Sequence, residues 1–386
     1  MTRAFLVVLD SVGCGGAPDA ADFGDAGADT LGHILQARQG RLHMPHLAAL
    51  GLGAAMAHSS GATPDWSAPS HGGWAVATEV SNGKDTPSGH WELAGVPVPW
   101  DWHYFPKTQP AFPPDVMARL NALVGGSLAN KHASGIPVIK EYGVQHMQTG
   151  LPICYTSVDS VFQIAAHETR FGLDRLYKLC RDMAPLLHDM KVGRVIARPF
   201  VGNADEGFSR TKNRKDFAIA PPAPTLCDWA QGAGRHVRAI GKIGDIFSMR
   251  GIDECHTGPD AELMQHLDHA VQTAPDGSLT FANFVEFNTL YGHQRNPAGY
   301  ADALEWFDRA IGAVLAKAQA GDLFIFTADH GNDPTWKGTD HTRERVPVLV
   351  HGADLGQIGD IAFVDVAATL ADHLNITHQG PGVSFL

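Results

Sequence analysis

Cysteine is scarce and scattered. The five thiols, Cys14, Cys154, Cys180, Cys227 and Cys255, stand far apart without paired spacing. That argues against a disulfide framework and for idle or buried thiols in a reducing cytoplasm. Long hydrophobic runs are also missing. The apolar start, Ala4 to Leu9, is six residues long before Asp10 breaks it, too short for the core of a signal peptide. No stretch approaches the roughly 18 apolar residues of a membrane span. Positive charge is the third deficit: 29 Lys and Arg against 41 Asp and Glu leave a formal net charge of −12. Such a balance is a poor footing for nucleic acid or an anionic membrane, and neither is expected as a partner. Internal repeats and low-complexity tracts are absent.

What remains is a folded globular chain, 44% hydrophobic and 18% charged. Its 386 residues fit one large domain and a smaller one. Histidine is abundant, at 21 residues, and several stand directly after strand-like runs beside carboxylates.

Three short apolar runs, Ala4 to Leu9, Leu323 to Ala328 and Val346 to Val350, read as buried strands of a mostly parallel sheet covered on both faces. A fourth, Leu279 to Phe287, is less uniform. Between it and Leu323, the residues Leu304, Phe307, Ile311 and Val314 or Leu315 repeat at helical spacing. Strand, helix, strand implies a right-handed crossover, and ligands gather beyond the carboxyl ends of such strands. Asp10, Asn288 and Asp329 all fall at such ends. Prolines punctuate the middle, at Pro97 and Pro99 and again through Ala220-Pro221-Pro222-Ala223-Pro224. They suggest a core domain of residues 1–98 and 223–386 and an inserted domain of residues 99–222. Within the insert, Arg194 to Lys215 carries six basic residues and two acidic ones. This island is either a solvated face or an anion clamp.

Two segments carry chemistry. In Thr327 to Val350, Asp329 and His330 leave a strand end and His341 follows eleven residues on. A carboxylate with two imidazoles suits zinc or manganese, and Asp10 and His293 add to the set. In Ser81 to Gly95, Thr86 stands among small residues, followed by His90 and Glu92. It is either a helix cap or a nucleophile, and metal coordination is one way to activate a hydroxyl.

The stretches FLVVLDSVGCGGAPDA, GADTLGHI, GKDTPSGHWELAG, ICYTSVDSVFQIAAHE, GRVIARPFVG, AIGKIGDIF, LYGHQR and TADHGNDPTWKGTDHTRERVPVL occur in that order over nearly the whole chain. Together they resemble the bacterial phosphopentomutases of the alkaline phosphatase superfamily. The resemblance implies an α/β fold: an alkaline-phosphatase-like core with a mostly parallel central sheet, plus an inserted smaller α/β cap domain. It also implies a dimetal site, usually of manganese. Asp10, Asp329 and His330 match the ligands of one ion, and His293 and His341 match ligands of the other. Thr86 matches a threonine that bridges both ions and is phosphorylated. Asp159 matches an active-site aspartate that holds sugar hydroxyls. One position departs. Where relatives read Val-Asp-Phe-Asp, this chain reads Val285-Glu286-Phe287-Asn288, which puts an amide on the position of a metal-binding aspartate. Glu286, two residues earlier on the same strand face, is a candidate to reach in.

The implied reaction moves phosphate between C1 and C5 of ribose or deoxyribose through a 1,5-bisphosphate. A sugar bisphosphate such as glucose 1,6-bisphosphate would act as primer. The distal phosphate needs a clamp, with Arg198, Arg210, Arg214 and Lys242 as candidates. Closure of the cap would exclude water and separate a mutase from a hydrolase. Rival expectations are a phosphatase or phosphodiesterase on the same fold and a catalytically retired sugar-phosphate binder, the latter supported by Asn288 alone. A metal-dependent phosphoglycerate mutase fits less well, since its nucleophile is a serine in a different local sequence.

Overall fold

The computed structural model describes every residue except Met1, Ser67 and Val158; Val158, inside the Tyr155–Ser160 motif, therefore lies outside the description. The chain divides into two compact units, residues 1–99 with 221–386, and residues 100–220.

In the first unit, β1 (Arg3–Leu9) and β2 (Gly73–Thr78) precede the insertion. The second unit carries β3 (Leu128–His132), β4 (Ile153–Thr156), β5 (Val161–His167), β6 (Arg194–Asn203), β7 (Gly207–Arg210) and β8 (Lys215–Ala218). The first unit then resumes with β9 (Val237–Ile240), β10 (Glu254–His256), β11 (Leu279–Phe284), β12 (Asp322–Thr327), β13 (Val346–His351) and β14 (Gly356–Ala362).

The eight strands of the first unit form one sheet in the order β10-β9-β11-β1-β12-β13-β2-β14. Every pairing is parallel except those of β13, which runs against both β12 and β2. All residues of β1, β11 and β12 are buried, as an unbroken apolar run in a two-sided sheet requires. Phe5 and Phe324 stack across β1 and β12 with ring centroids 4.3 Å apart. Each large side chain so buried contributes about 1.5–3 kcal/mol.

The Pro297–Leu315 helix joins β11 to β12. It starts where Asn296 caps the Gly299 N–H and Pro297 opens the first turn. It buries Leu304, Phe307, Ile311 and Val314, the stripe that the periodicity predicts.

Val346 to Val350 is a buried strand of the mostly parallel sheet, as expected, and among the described strands of that sheet β13 is the one that runs antiparallel to its neighbours. No crossover helix separates it from β12, so a loop folds straight back and the strand must return in the opposite sense. The run Leu279 to Phe287 is a strand only to Phe284, and Phe287–Gly292 forms a π-helical turn. Glu286 and Asn288 therefore do not share a strand face. Glu286 lines a cleft with Asp260, Tyr291 and Asp302. There, burial and the Glu286 charge push the Asp260 carboxyl up to about 7.

In the second unit the strand path is β3-β4-β5-β6-β7, with β8 also paired to β6. Alternate residues face opposite cores. Cys154, Phe162 and Ile164 pack with Leu176 and Leu179 of the Leu173–Asp189 helix. Ile153, Tyr155 and Ala165 pack with Val138 and Ile139 of the Gly135–Thr149 helix. The sheet is thus covered on both faces by helices, the layering of an α/β unit.

Candidate metal centre

Strand register places the first candidate ligands. Leu9 pairs with Phe284 and Val8 with Thr327, so Asp10 and Asp329 leave adjacent parallel strands at the same edge. One donor atom each of Asp10, Asp329 and His330 lie within 4.8 Å of one another, all buried. The antiparallel return of β13 brings His341 to this edge as well. Gly331 and Thr342 exchange backbone hydrogen bonds of 3.1 and 2.9 Å, tying the segments after His330 and His341 together.

Each donor is aimed by a second bond. Asp10 Oδ2 accepts from Asn283 Nδ2 at 3.0 Å, and Asp329 Oδ1 accepts the Ser11 N–H at 3.0 Å. Ser11 holds φ at 73°, a left-handed conformation rare for a non-glycine residue, and its hydroxyl meets Tyr300 Oη at 2.9 Å. The other oxygens, Asp10 Oδ1 and Asp329 Oδ2, are buried without a hydrogen bond. His330 Nδ1 donates to the Gly331 carbonyl at 3.0 Å, which turns Nε2 to within 3.1 Å of Asp329 Oδ2 and 3.8 Å of Asp10 Oδ1. Two buried carboxylates and one imidazole with donor atoms gathered this closely are a donor set that suits a divalent cation.

Electrostatics agree. Burial and the Asp329 charge push the Asp10 carboxyl up. Burial likewise opposes the charge on Asp329, but His330 and His90 outweigh it and hold that carboxyl well below its ordinary range. Burial lowers His330, yet Asp329 more than offsets this and raises it to about 9. A proton on His330 occupies the place a cation would take.

His293 and His341 form a second donor pair. A carbonyl only accepts, so the bonds from His341 Nδ1 to Lys84 O (2.8 Å) and from His293 Nδ1 to Thr339 O (2.7 Å) fix the proton on Nδ1 of both rings. Their Nε2 atoms then face each other at 3.2 Å. Burial, with His330 and His293 nearby, keeps His341 well below its ordinary pKa and neutral, ready to ligate. Asn288 stands beside this pair, its Nδ2 lying 3.2 Å from His341 Nε2.

Thr86 opens the Thr86–Leu93 helix but does not cap it. Asp85 does, accepting from Ser88 N at 3.1 Å. The Thr86 hydroxyl is left to meet His330 Nε2 at 3.3 Å. His90, one turn on, donates from Nδ1 to Thr86 O at 2.9 Å and lies 3.1 Å from Asp329 Oδ2. Sequence reasoning left His90 and Asn283 out of the site; the four-residue spacing from Thr86 was the available signal for the first. Glu92 has a structural task, accepting the Val80 and Ser81 N–H groups at 2.8 Å each.

The helix is seated by Gly89, where a Cβ would stand 2.0 Å from the Asp329 carbonyl oxygen. Gly89→Ala is expected to push the helix off the strand end and Thr86 out of line. A fall in kcat of about 100-fold is expected, since a displacement near 1 Å costs that much. Steady-state kinetics beside an unchanged circular dichroism spectrum would check it.

The structure does not gather the four basic candidates in one unit. Arg198, Arg210 and Arg214 belong to the inserted unit and act together on Tyr155. Arg198 donates to Gln163 Oε1 at 2.9 Å, and burial with the neighbouring Arg214 charge lowers its pKa to about 10. Arg214 holds Asp216 through two bonds of 2.7 and 2.6 Å. Asp159 faces Arg194 at 3.3 Å. Lys242, by contrast, lies in the first unit, after β9 at the start of a short helix, Ile243–Ile246.

Residues 2–378 match the Metalloenzyme superfamily, and a mostly parallel α/β sheet with a buried group of candidate cation donors at its edge defines the class of this protein. A solved protein of Pyrococcus horikoshii shares the fold over 98% of both chains, with a TM-score of 0.50 at 13% identity. Within that class the chain belongs to the phosphopentomutase family and is an enzyme of the isomerase type. It is 54% identical to a phosphopentomutase of Chelativorans sp., covering 100% of this chain and 98% of the relative. It is 51% identical to one of Methylobacterium radiotolerans over 100% of both. Among the described residues no helix is long and apolar enough to cross a membrane.

Proposed function

We propose that this enzyme interconverts ribose 1-phosphate and ribose 5-phosphate, or their deoxyribose counterparts, through phosphorylated Thr86 and a 1,5-bisphosphate. The observation that carries the reading is the Thr86 hydroxyl, uncommitted to helix capping and 3.3 Å from His330 Nε2 at the edge of the donor pole. Asp10, Asp329 and His330 would hold one manganese ion and His293 and His341 the other, beside Asn288. When bound, such ions polarise phosphoryl oxygens and make a hydroxyl a competent nucleophile.

The residues divide the remaining work. Thr86 Oγ1 carries the phosphoryl group, whose charge is favoured by the N-terminus of the Thr86–Leu93 helix. A sugar hydroxyl oxygen forms the new P–O bond as the bond to Thr86 breaks. The bisphosphate then returns its other phosphoryl group, so the enzyme ends as it began. Arg198, Arg210 and Arg214 supply fixed positive charge for the phosphate not in transfer, Lys242 adds a cation from the first unit, and Asp159 serves sugar hydroxyls. A sugar bisphosphate such as glucose 1,6-bisphosphate would restore phosphate lost from Thr86. All five cysteines are unpaired, which suits work in a reducing cytoplasm.

With manganese and a trace of glucose 1,6-bisphosphate, the purified protein is expected to convert ribose 5-phosphate to ribose 1-phosphate with no net release of inorganic phosphate. Release of phosphate in step with substrate loss would make it a phosphatase and overturn the reading.

A further inference from the structure

We infer that, in this chain, filling of the second metal position is linked to phosphorylation of Thr86, an inference that rests on the phosphothreonine reading above. It starts from Arg295, which can only donate. Its guanidinium binds the carbonyls of Gly292 (2.8 Å), Gly338 (2.6 Å) and Asp340 (2.9 Å), and Asn332 Oδ1 at 2.5 Å. It thereby ties the segment after His293 to the segment before His341.

The polarity of a relay follows. Because Asn332 gives its oxygen to Arg295, its amide nitrogen must face Asn288, and it donates to Asn288 Oδ1 at 2.6 Å. Asn288 is then held with its own nitrogen toward His341 Nε2, at 3.2 Å. A carboxylate at this position would satisfy Asn332 with one oxygen and offer the other to a cation between the imidazoles. The amide offers N–H instead. Turning Asn288 over would set two amide nitrogens against each other and forfeit the 2.6 Å bond. Gly292 makes the arrangement tight, since a Cβ there would lie 2.8 Å from the Asn332 amide.

Charge compounds the effect. His293 and His341 are imidazoles and Asn288 is an amide, so none of the three brings negative charge to this pole. The nearby carboxylates are engaged elsewhere: Asp329 with His330 and the Ser11 N–H, Glu286 in the Asp260 cleft, Asp333 with His33, and Asp340 with the His341 N–H. Among the described residues the pole has no carboxylate of its own, and the Arg295 cation stands behind it. A phosphate on Thr86 would bring a charge of about −1.5 to −2. Thr86 reaches His330, whose ring stacks on His341 with centroids 3.9 Å apart, so that charge arrives beside the second donor pair. Linkage is reciprocal: phosphate tightens the second ion, and the second ion stabilises the phosphorylated enzyme. Phosphate lost to water therefore loosens the ion too, and a sugar bisphosphate restores both.

The test compares manganese binding to native enzyme before and after treatment with glucose 1,6-bisphosphate, using equilibrium dialysis and the electron paramagnetic resonance signal of free Mn2+. Intact mass reports phosphate on Thr86 in each sample. The second ion is expected to bind the phosphorylated form about 5–150-fold more tightly, with the first ion changed much less. In Asn288→Asp, the unphosphorylated form is expected to bind both ions tightly and the difference to shrink below about fivefold. Equal affinity for the second ion in the two native forms, with phosphorylation confirmed by mass, would overturn the linkage and leave the phosphothreonine reading intact. No phosphate on Thr86 after treatment would overturn that reading, and the linkage with it.

Discussion

Thr86→Ala is expected to lower pentose phosphate isomerisation by on the order of 10⁴-fold or more, the scale seen when a covalent nucleophile is removed. The substitution takes away the one hydroxyl that faces His330 Nε2 and leaves Asp85 to cap the helix, so the fold should persist. Asp10, Asp329 and His330 are untouched, and manganese bound at that pole should remain measurable. Treatment with glucose 1,6-bisphosphate should add no phosphate to the variant by intact mass. Thr86→Ser keeps a hydroxyl and is expected to retain measurable turnover. Retention of native turnover within tenfold by Thr86→Ala would remove Thr86 from the mechanism, whatever the metals do.

Arg343→Met is expected to destabilise the first unit by about 3–5 kcal/mol, because it strands a buried charge. The Arg343 side chain is 2% exposed and so is that of its partner Glu79, at 2.6 Å. The same guanidinium binds Gly83 O at 2.5 Å, Glu79 O at 2.8 Å and both oxygens of Asp19. It thus pins the segment that leads into Thr86, and activity should fall along with stability. A decrease in Tm of roughly 6–20 °C is expected by calorimetry.

The pH dependence has a definite sign. Burial already raises the Glu79 carboxyl well above its ordinary 4.5, and Arg343 opposes that rise. Without Arg343 the folded state binds a proton more readily than the unfolded state, so stability falls as pH climbs above about 4.5. The defect should therefore be smallest in acid and widen toward neutrality. Arg343→Met with Glu79→Gln should recover much of the loss, since no charge is then buried alone. A single-variant defect that does not change between pH 5 and 8 would show that Glu79 is not the stranded group.

Parts of this protein are written in contiguous residues. The runs in β1, β11 and β12 are apolar because both faces of those strands are covered, and the stripe of the Pro297–Leu315 helix has the period of a helix buried on one side. Asp329, His330 and His341 were legible because one loop carries them all, and Asp10 because it ends the first strand. Their meeting depends on register, which pairs Val8 with Thr327 across more than 300 residues of chain.

Other features have no local signature. Only the folded chain shows that β13 returns antiparallel, that Asp85 relieves Thr86 of capping, and that a π-helical turn parts Glu286 from Asn288. Lys242 reads like one more basic candidate beside Arg198, Arg210 and Arg214, but it belongs to the other unit. The relay from Arg295 through Asn332 to Asn288 joins three segments, and no spacing rule predicts which end of an amide faces a metal position. The physical reason is range. Backbone preference and hydrophobic period act between near neighbours and are therefore written in the sequence. The direction of a hydrogen bond or the isolation of a charge is decided by residues that only packing brings together.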